Sequence, residues 1–207
     1  QFTQGTLEAT DKTLDLAVAG EGMFVVRGSP PRSEVSYTRN GAFTVAVNRS
    51  VVDNTGARLQ LLPVDANGTV TSKSLAAATD FTLPQSKPGA PDITLSNISI
   101  GTDGLVTSTW SDGTNSALGK IAMASFTAPE GLRPIGDSHW QSTGDSGPPA
   151  IDAATNGALG SIRSGALERA NVDITEELVA LIGAQRNFQA NAKAIETAST
   201  MTQVIIN

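Results

Sequence analysis

Cysteine is absent from this 207-residue chain, so disulfides, thiol catalysis and cysteine-type zinc sites are excluded. Histidine is nearly absent. His139 is the single one, and neither a histidine-based catalytic triad nor a multi-histidine metal site can be built from it. Charge is scarce too: Asp, Glu, Lys and Arg make up only 16% of the chain. The net charge of −6 argues against nucleic-acid binding, which needs a basic face. No stretch has the length and apolarity of a transmembrane helix, so no membrane insertion is expected. No signal peptide is visible. What the chain has in quantity is turn formers, with 20 Gly and 10 Pro. Its length suffices for a real core, in one domain or in one domain with an appendage.

The longest periodic stretch is the last, from Asn171 to Asn207, which contains no proline. Asp173 suits an N-cap, and Glu176 follows at the spacing of a capping box. Ile174, Leu178, Leu181, Phe188, Ala192, Ile195, Ala198 and Ile205 recur at helical three- and four-residue steps. A helix of this span reaches about 50 Å, longer than a small domain is wide. Its apolar stripe needs a cover, either its own domain or other helices outside that domain. The rest of the chain reads as almost entirely β, which favours the second.

Short runs broken by turns every eight to twelve residues predict antiparallel strands over residues 1–62 and 92–163. Leu14–Ala19 alternates like a half-buried strand, Gly20-Glu21-Gly22 turns the chain, and Met23–Val26 is more buried. Val35–Thr38, Phe43–Val47, Arg58–Leu62, Leu105–Trp110 and Lys120–Phe126 are further strands. Arg39-Asn40-Gly41 is expected to close a hairpin, as are Asp103-Gly104 and Asp112-Gly113. Gln1–Thr13 is polar and patternless, 143–160 shows no core pattern, and 162–170 is a short connector. The stretch 63–91 reads as a loose excursion with a strand or two, and 164–207 as connector plus terminal helix. The fold class expected is therefore mainly β with a long C-terminal α-helix.

No constellation supports catalysis. Asp65-Ala66-Asn67-Gly68 opens like a calcium loop but lacks the later bidentate acid, so it reads as a turn. Gly20-Glu21-Gly22 is not followed by the lysine or helix start of a phosphate loop. His139 reads as a surface residue beside Trp140. No catalytic, metal or cofactor residues are expected, and no cofactor.

Several blocks, in order, resemble the bacterial flagellar hook and rod proteins. Leu14-Asp15-Leu16-Ala17-Val18-Ala19-Gly20-Glu21-Gly22-Met23-Phe24 is similar to their "LDLAI-x-G-x-GFF" segment. Tyr37-Thr38-Arg39-Asn40-Gly41-Ala42-Phe43 is similar to "YTRxGxF". Gly119–Phe126 with Pro129-Glu130-Gly131-Leu132 resembles a later shared strand and turn. Gly165–Asp173, Glu176-Glu177-Leu178 and Ala184–Phe188 resemble the C-terminal signature.

The resemblance implies an axial tube protein with a β-rich outer domain and a terminal helix in the tube core. It implies copies stacked helically, and other axial proteins of rod, hook–filament junction and hook cap as partners. It also implies a flagellar location in hook or basal body, export without a cleaved signal, and a helical segment preceding Gln1. The stripe Ile174, Leu178, Leu181, Phe188, Ala192, Ile195, Ala198 and Ile205 would then be the subunit contact. The short 63–91 stretch stands where typical hook proteins insert a second domain, which fits a distal rod protein or a short hook protein. The wording at Val172–Thr175 and Gln185–Asn191 is closer to hook. The competing class is a soluble β-rich binding module whose helix packs on itself.

Overall fold

The structure, a computed structural model, describes residues 4–29, 33–169, 171 and 174–206, with helix side chains at 178, 179, 181–196, 198 and 201. The strands in chain order are β1 (Leu7–Ala9), β2 (Leu16–Ala19), β3 (Met23–Arg27), β4 (Val35–Thr38), β5 (Thr44–Val45) and β6 (Val51–Val52). Next come β7 (Arg58–Leu62), β8 (Thr79–Asp80), β9 (Ser86–Lys87), β10 (Ala90–Ile100), β11 (Leu105–Trp110) and β12 (Asn115–Ile121). The last are β13 (Met123–Ser125), β14 (Arg133–Gly136), β15 (His139–Gln141), β16 (Ala150–Asp152), β17 (Ser161–Ser164) and β18 (Ala166–Glu168). Among the described residues there is one α-helix, α1 (Ile174–Ile206), and a short 3-10 turn at Pro129–Gly131. The mainly β class with a C-terminal helix is thus the one observed.

Two compact units divide the chain, residues 1–169 and 170–207. In the first, the main sheet runs β14-β15-β4-β3-β7-β12-β11-β10-β9, with β5, β6, β8, β13 and β16 joined off this path. Two further ribbons, β17–β2 and β1–β18, are separate. Every pairing among these strands is antiparallel. The main core gathers Leu16, Val18, Phe24, Phe43, Leu59, Phe81, Ile121, Met123 and Ile162. Phe24 and Phe43 meet edge to face at 5.6 Å, the arrangement their ring quadrupoles favour.

The hairpins at Gly104 and Gly113 form as expected, at φ +78° and +79°, where only glycine is unstrained. At the second, the Thr114 hydroxyl, the Thr114 backbone N–H and Lys87 hold Asp112 down to about 2. Asp65 also makes the expected turn, its Oδ1 accepting from the N–H groups of Asn67 and Thr69.

Other expectations fail for identifiable reasons. Arg39-Asn40-Gly41 closes no hairpin, because β4 lies between β3 and β15. The chain instead crosses to β2, where the Leu16 N–H donates to the Gly41 carbonyl at 2.9 Å. Leu16, Ala17 and Val18 are fully buried rather than alternating, since both faces of β2 are covered. Lys120–Phe126 is not one strand but the end of β12 and β13, divided at Ala122, whose N–H donates to the Gln60 carbonyl. Polar Gln1–Thr13 contains β1, and 162–170 holds β18 and most of β17 rather than a bare connector. Residues 143–160 supply Ala153, Ala154 and Leu159 to the buried interior.

The excursion at 63–91 belongs to the first unit. β8 pairs with β7, and Phe81 is fully buried. Arg58 pairs with Asp80, and the Arg49 guanidinium donates to the carbonyls of Leu83 and Pro84.

Candidate functional site

The helix offers the first candidate surface. Leu178, Leu181, Phe188 and Ile195 are exposed at 53%, 54%, 76% and 71%, and Ala192 and Ala198 are exposed as well. The side chains of Ile174 and Ile205 lie outside the described residues, as do Asp173 and the Glu176 carboxylate of the expected capping box. From Ile174 to Ile195 the spacing alternates four and three if Gln185 is included. That is a seven-residue repeat, which drifts about 20° per heptad on a straight helix and is kept in register by a left-handed supercoil. Val179, Ile182 and Met201, which the stripe leaves out, are exposed too. Met201 falls on the stripe, three residues after Ala198 and four before Ile205, whereas Val179 and Ile182 lie beside it, so apolar surface extends beyond a single seam. A helix apolar on more than one side suits contact with several neighbours at once.

The second candidate is a polar knot where distant parts of the body meet. Arg39 directs its Nε to Glu168 Oε2 at 2.9 Å and its Nη2 to Oε1 at 3.3 Å. Its remaining N–H groups reach the carbonyls of Gly20 and Gly22 at 3.2–3.3 Å and of Val18 at 3.5 Å. Gly20 and Gly22, which present two of these carbonyls, adopt φ +114° and +120°, a backbone region open to glycine. Glu168 Oε1 also accepts the Gly5 N–H at 2.8 Å. Such a forked, charge-assisted arrangement is among the stronger polar contacts a protein makes.

His139 is buried, not at the surface. Its Nε2 lies 2.8 Å from Asp53 Oδ2, while Asp53 Oδ1 accepts from the N–H groups of Thr55 and Ala57 and from the Thr55 hydroxyl. Every oxygen of Asp53 is therefore engaged, and the pair fastens β15 to the turn after β6. No spacing in the sequence links positions 86 residues apart. Only the Asx-type turn at Asp53, which leaves one oxygen to be satisfied, offered a hint.

The helix, Arg39 and Glu168 lie in segments that known proteins share. A family model described as the flagellar hook protein FlgE/F/G D1 domain matches residues 17–108. A second, the flagellar basal body rod FlgEFG protein C-terminal, matches residues 163–207. The basal-body rod protein FlgG of Buchnera aphidicola subsp. Baizongia pistaciae is 31% identical over 205 residues, covering 98% of this chain and 68% of the relative. The chain belongs to the flagellar hook and basal-body rod protein family.

Within this hook and rod family, the hook protein FlgE of Salmonella typhimurium is 34% identical over 174 residues, covering 82% of this chain but 38% of the relative. The chain therefore spans about two thirds of the rod relative and well under half of the hook relative. The solved Helicobacter pylori hook protein FlgE2 overlaps 65% of this chain and 39% of its own, at 19% identity and a TM-score of 0.33. Family membership makes the chain a structural component of the flagellum. Arg39 lies in the hook D1 match and Glu168 in the rod C-terminal match, so their ion pair ties the two family segments together.

Proposed function

We propose that this chain is an axial subunit that polymerises helically, with α1 as the contact between copies, and that it serves in the hook. The observation that carries the assembly reading is the exposed seven-residue stripe on a 33-residue helix. One helix cannot bury its own stripe. Fully burying a Leu, Ile or Phe side chain is worth about 1.5–3 kcal/mol, so four such residues repeated along a tube give a large sum. Rod, junction and cap proteins of the axis are the heterologous partners of this reading. The role is mechanical, not catalytic: Asp53 is saturated by its hydrogen bonds, and Arg39 is committed to Glu168 and three carbonyls.

Hook is the first reading because a charge-poor chain, at 16% charged residues, presents few fixed ion pairs to sliding neighbours, as a bending joint needs. The alternative, a distal rod subunit, is supported by a match to a rod relative that takes in 98% of this chain, though 68% of the relative. Immunogold labelling along the flagellar axis separates the two.

Assembly is tested by replacing Phe188 and Ile195 with Asp in the complete protein and viewing the product by electron microscopy. Loss of filaments, with the β body still folded, is expected. Filaments of normal length would remove the stripe from the interface.

A further inference from the structure

The ribbon β1–β18 is a two-stranded sheet of its own, three residues per strand, with β1 largely exposed. A ribbon this small is marginal in water unless something holds it. β18 follows β17, which pairs with β2, after the single residue Gly165; beyond that join, its backbone ties to the body are the N–H groups of Gly165 and Ala166, both donating to the Asp15 carbonyl. The main anchorage is polar and converges on one carboxylate. Glu168, from β18, receives the fork of Arg39 and the Gly5 N–H, while Gln4 exchanges hydrogen bonds with the Val18 carbonyl and the Gly20 N–H. The pair is largely shielded, with side-chain exposures of 20% for Arg39 and 11% for Glu168.

We infer that the Arg39–Glu168 pair is a latch: closed, it makes the terminal ribbon one piece with the β body; open, it frees the ribbon while the core stays folded. Three features require this behaviour. First, the ribbon contributes almost nothing to the main core cluster, so opening it exposes little apolar surface. Second, the two strands are joined only across the whole length of the body, since Gly5 and Glu168 are 163 residues apart. Such a long-range pairing is cheap to open locally, whereas the hairpin-linked strands of the main sheet open only with their neighbours. Third, Arg39 reads the turn and the ribbon at once. Its Nη groups hold the carbonyls of Gly20 and Gly22, so losing Glu168 leaves the guanidinium anchored on the body side alone.

The latch is a property of the single chain and goes beyond the assembly reading, and its test does not involve filaments. Amide hydrogen exchange is followed by NMR on the full chain, in the wild type, Glu168→Gln and Arg39→Lys. The first substitution keeps size and one acceptor but turns an amide NH2 toward the guanidinium. The second keeps charge but loses the fork. The ribbon reporters are the N–H groups of Arg169, which donates to Thr6, and Thr10, which donates to Gly165. The core reporters are those of Val25 and Phe81. Ribbon amides are expected to exchange at least about tenfold faster in Glu168→Gln, with Arg39→Lys in the same direction and the core amides unchanged. Two results overturn the latch. One is ribbon protection equal to wild type in both variants; the other is a parallel loss at Val25 and Phe81, which would make the pair an ordinary staple of the whole fold.

Discussion

Gly41 stands where a side chain has no room. A Cβ there would lie 1.6 Å from the Leu16 carbonyl oxygen and 2.6 Å from its carbon, both backbone atoms that cannot swing aside. Relief requires moving β2, whose Leu16, Ala17 and Val18 are fully buried and which carries Leu16 and Val18 into the main core. Gly41→Ala is therefore expected to cost about 3 kcal/mol or more, lowering the melting temperature by roughly 6–12 °C for a chain this size. Gly113→Ala is the control. It has φ +79° but nothing within 4 Å of the added methyl, and it should cost only about 1 kcal/mol. Similar melting curves for the two would mean that the crossing at Gly41 yields more easily than its geometry says. At this scale the sequence was legible in residue type but not in reason. Gly41 reads as a turn glycine, yet what demands it is the close passage of another strand. His139 reads as a surface side chain beside Trp140 because nothing near it in sequence offers it a partner. Its partner Asp53 comes from a different turn, and burial decided by a distant residue leaves no local trace.

Elements with strong periodicity were the readable ones. The helix announced itself through its stripe, and the β10–β11–β12 meander through Asp-Gly turns flanking alternating residues. β1, β17 and β18 stayed hidden because they are three or four residues long and pair only across the full chain, Leu7 with Glu168 and Leu16 with Ser164. In strands so short, pairing comes from the fold and not from propensity. The residues proposed as the subunit contact read as a helical face; the exposed apolar positions Val179 and Ile182 lie beside that face, and Met201 fills it between Ala198 and Ile205. These exposed positions bear on the helix itself. A long helix whose apolar side chains face water gains little from tertiary burial, and most helical stability in proteins comes from such burial. Far-UV circular dichroism of the whole chain should therefore show helix signal growing as protein concentration rises and copies associate, while the β contribution stays constant. A helix signal independent of concentration down to the monomer would mean that α1 needs no neighbour, and would favour the self-contained binding module.

For the molecule as a whole, the balance of forces in assembly follows from composition and placement together. The chain carries a net charge of −6, so copies brought side by side repel one another over a distance of about a Debye length, some 10 Å at 0.1 M salt. The proposed contact, in contrast, is apolar. Charge on the helix is sparse: among its described side chains only Arg186, Lys193 and Glu196 are charged. Salt therefore has a repulsion to screen and few attractions to weaken. Sulfate, excluded from protein surfaces, also strengthens apolar burial. The critical concentration for polymerisation should accordingly fall as sodium chloride is raised, and fall further in sodium sulfate at matched ionic strength. Sedimentation of polymer from monomer across a salt series measures it directly. A critical concentration that rises with salt would mean that copies are joined through charge, and the apolar stripe would then be an accompaniment to the contact and not its source.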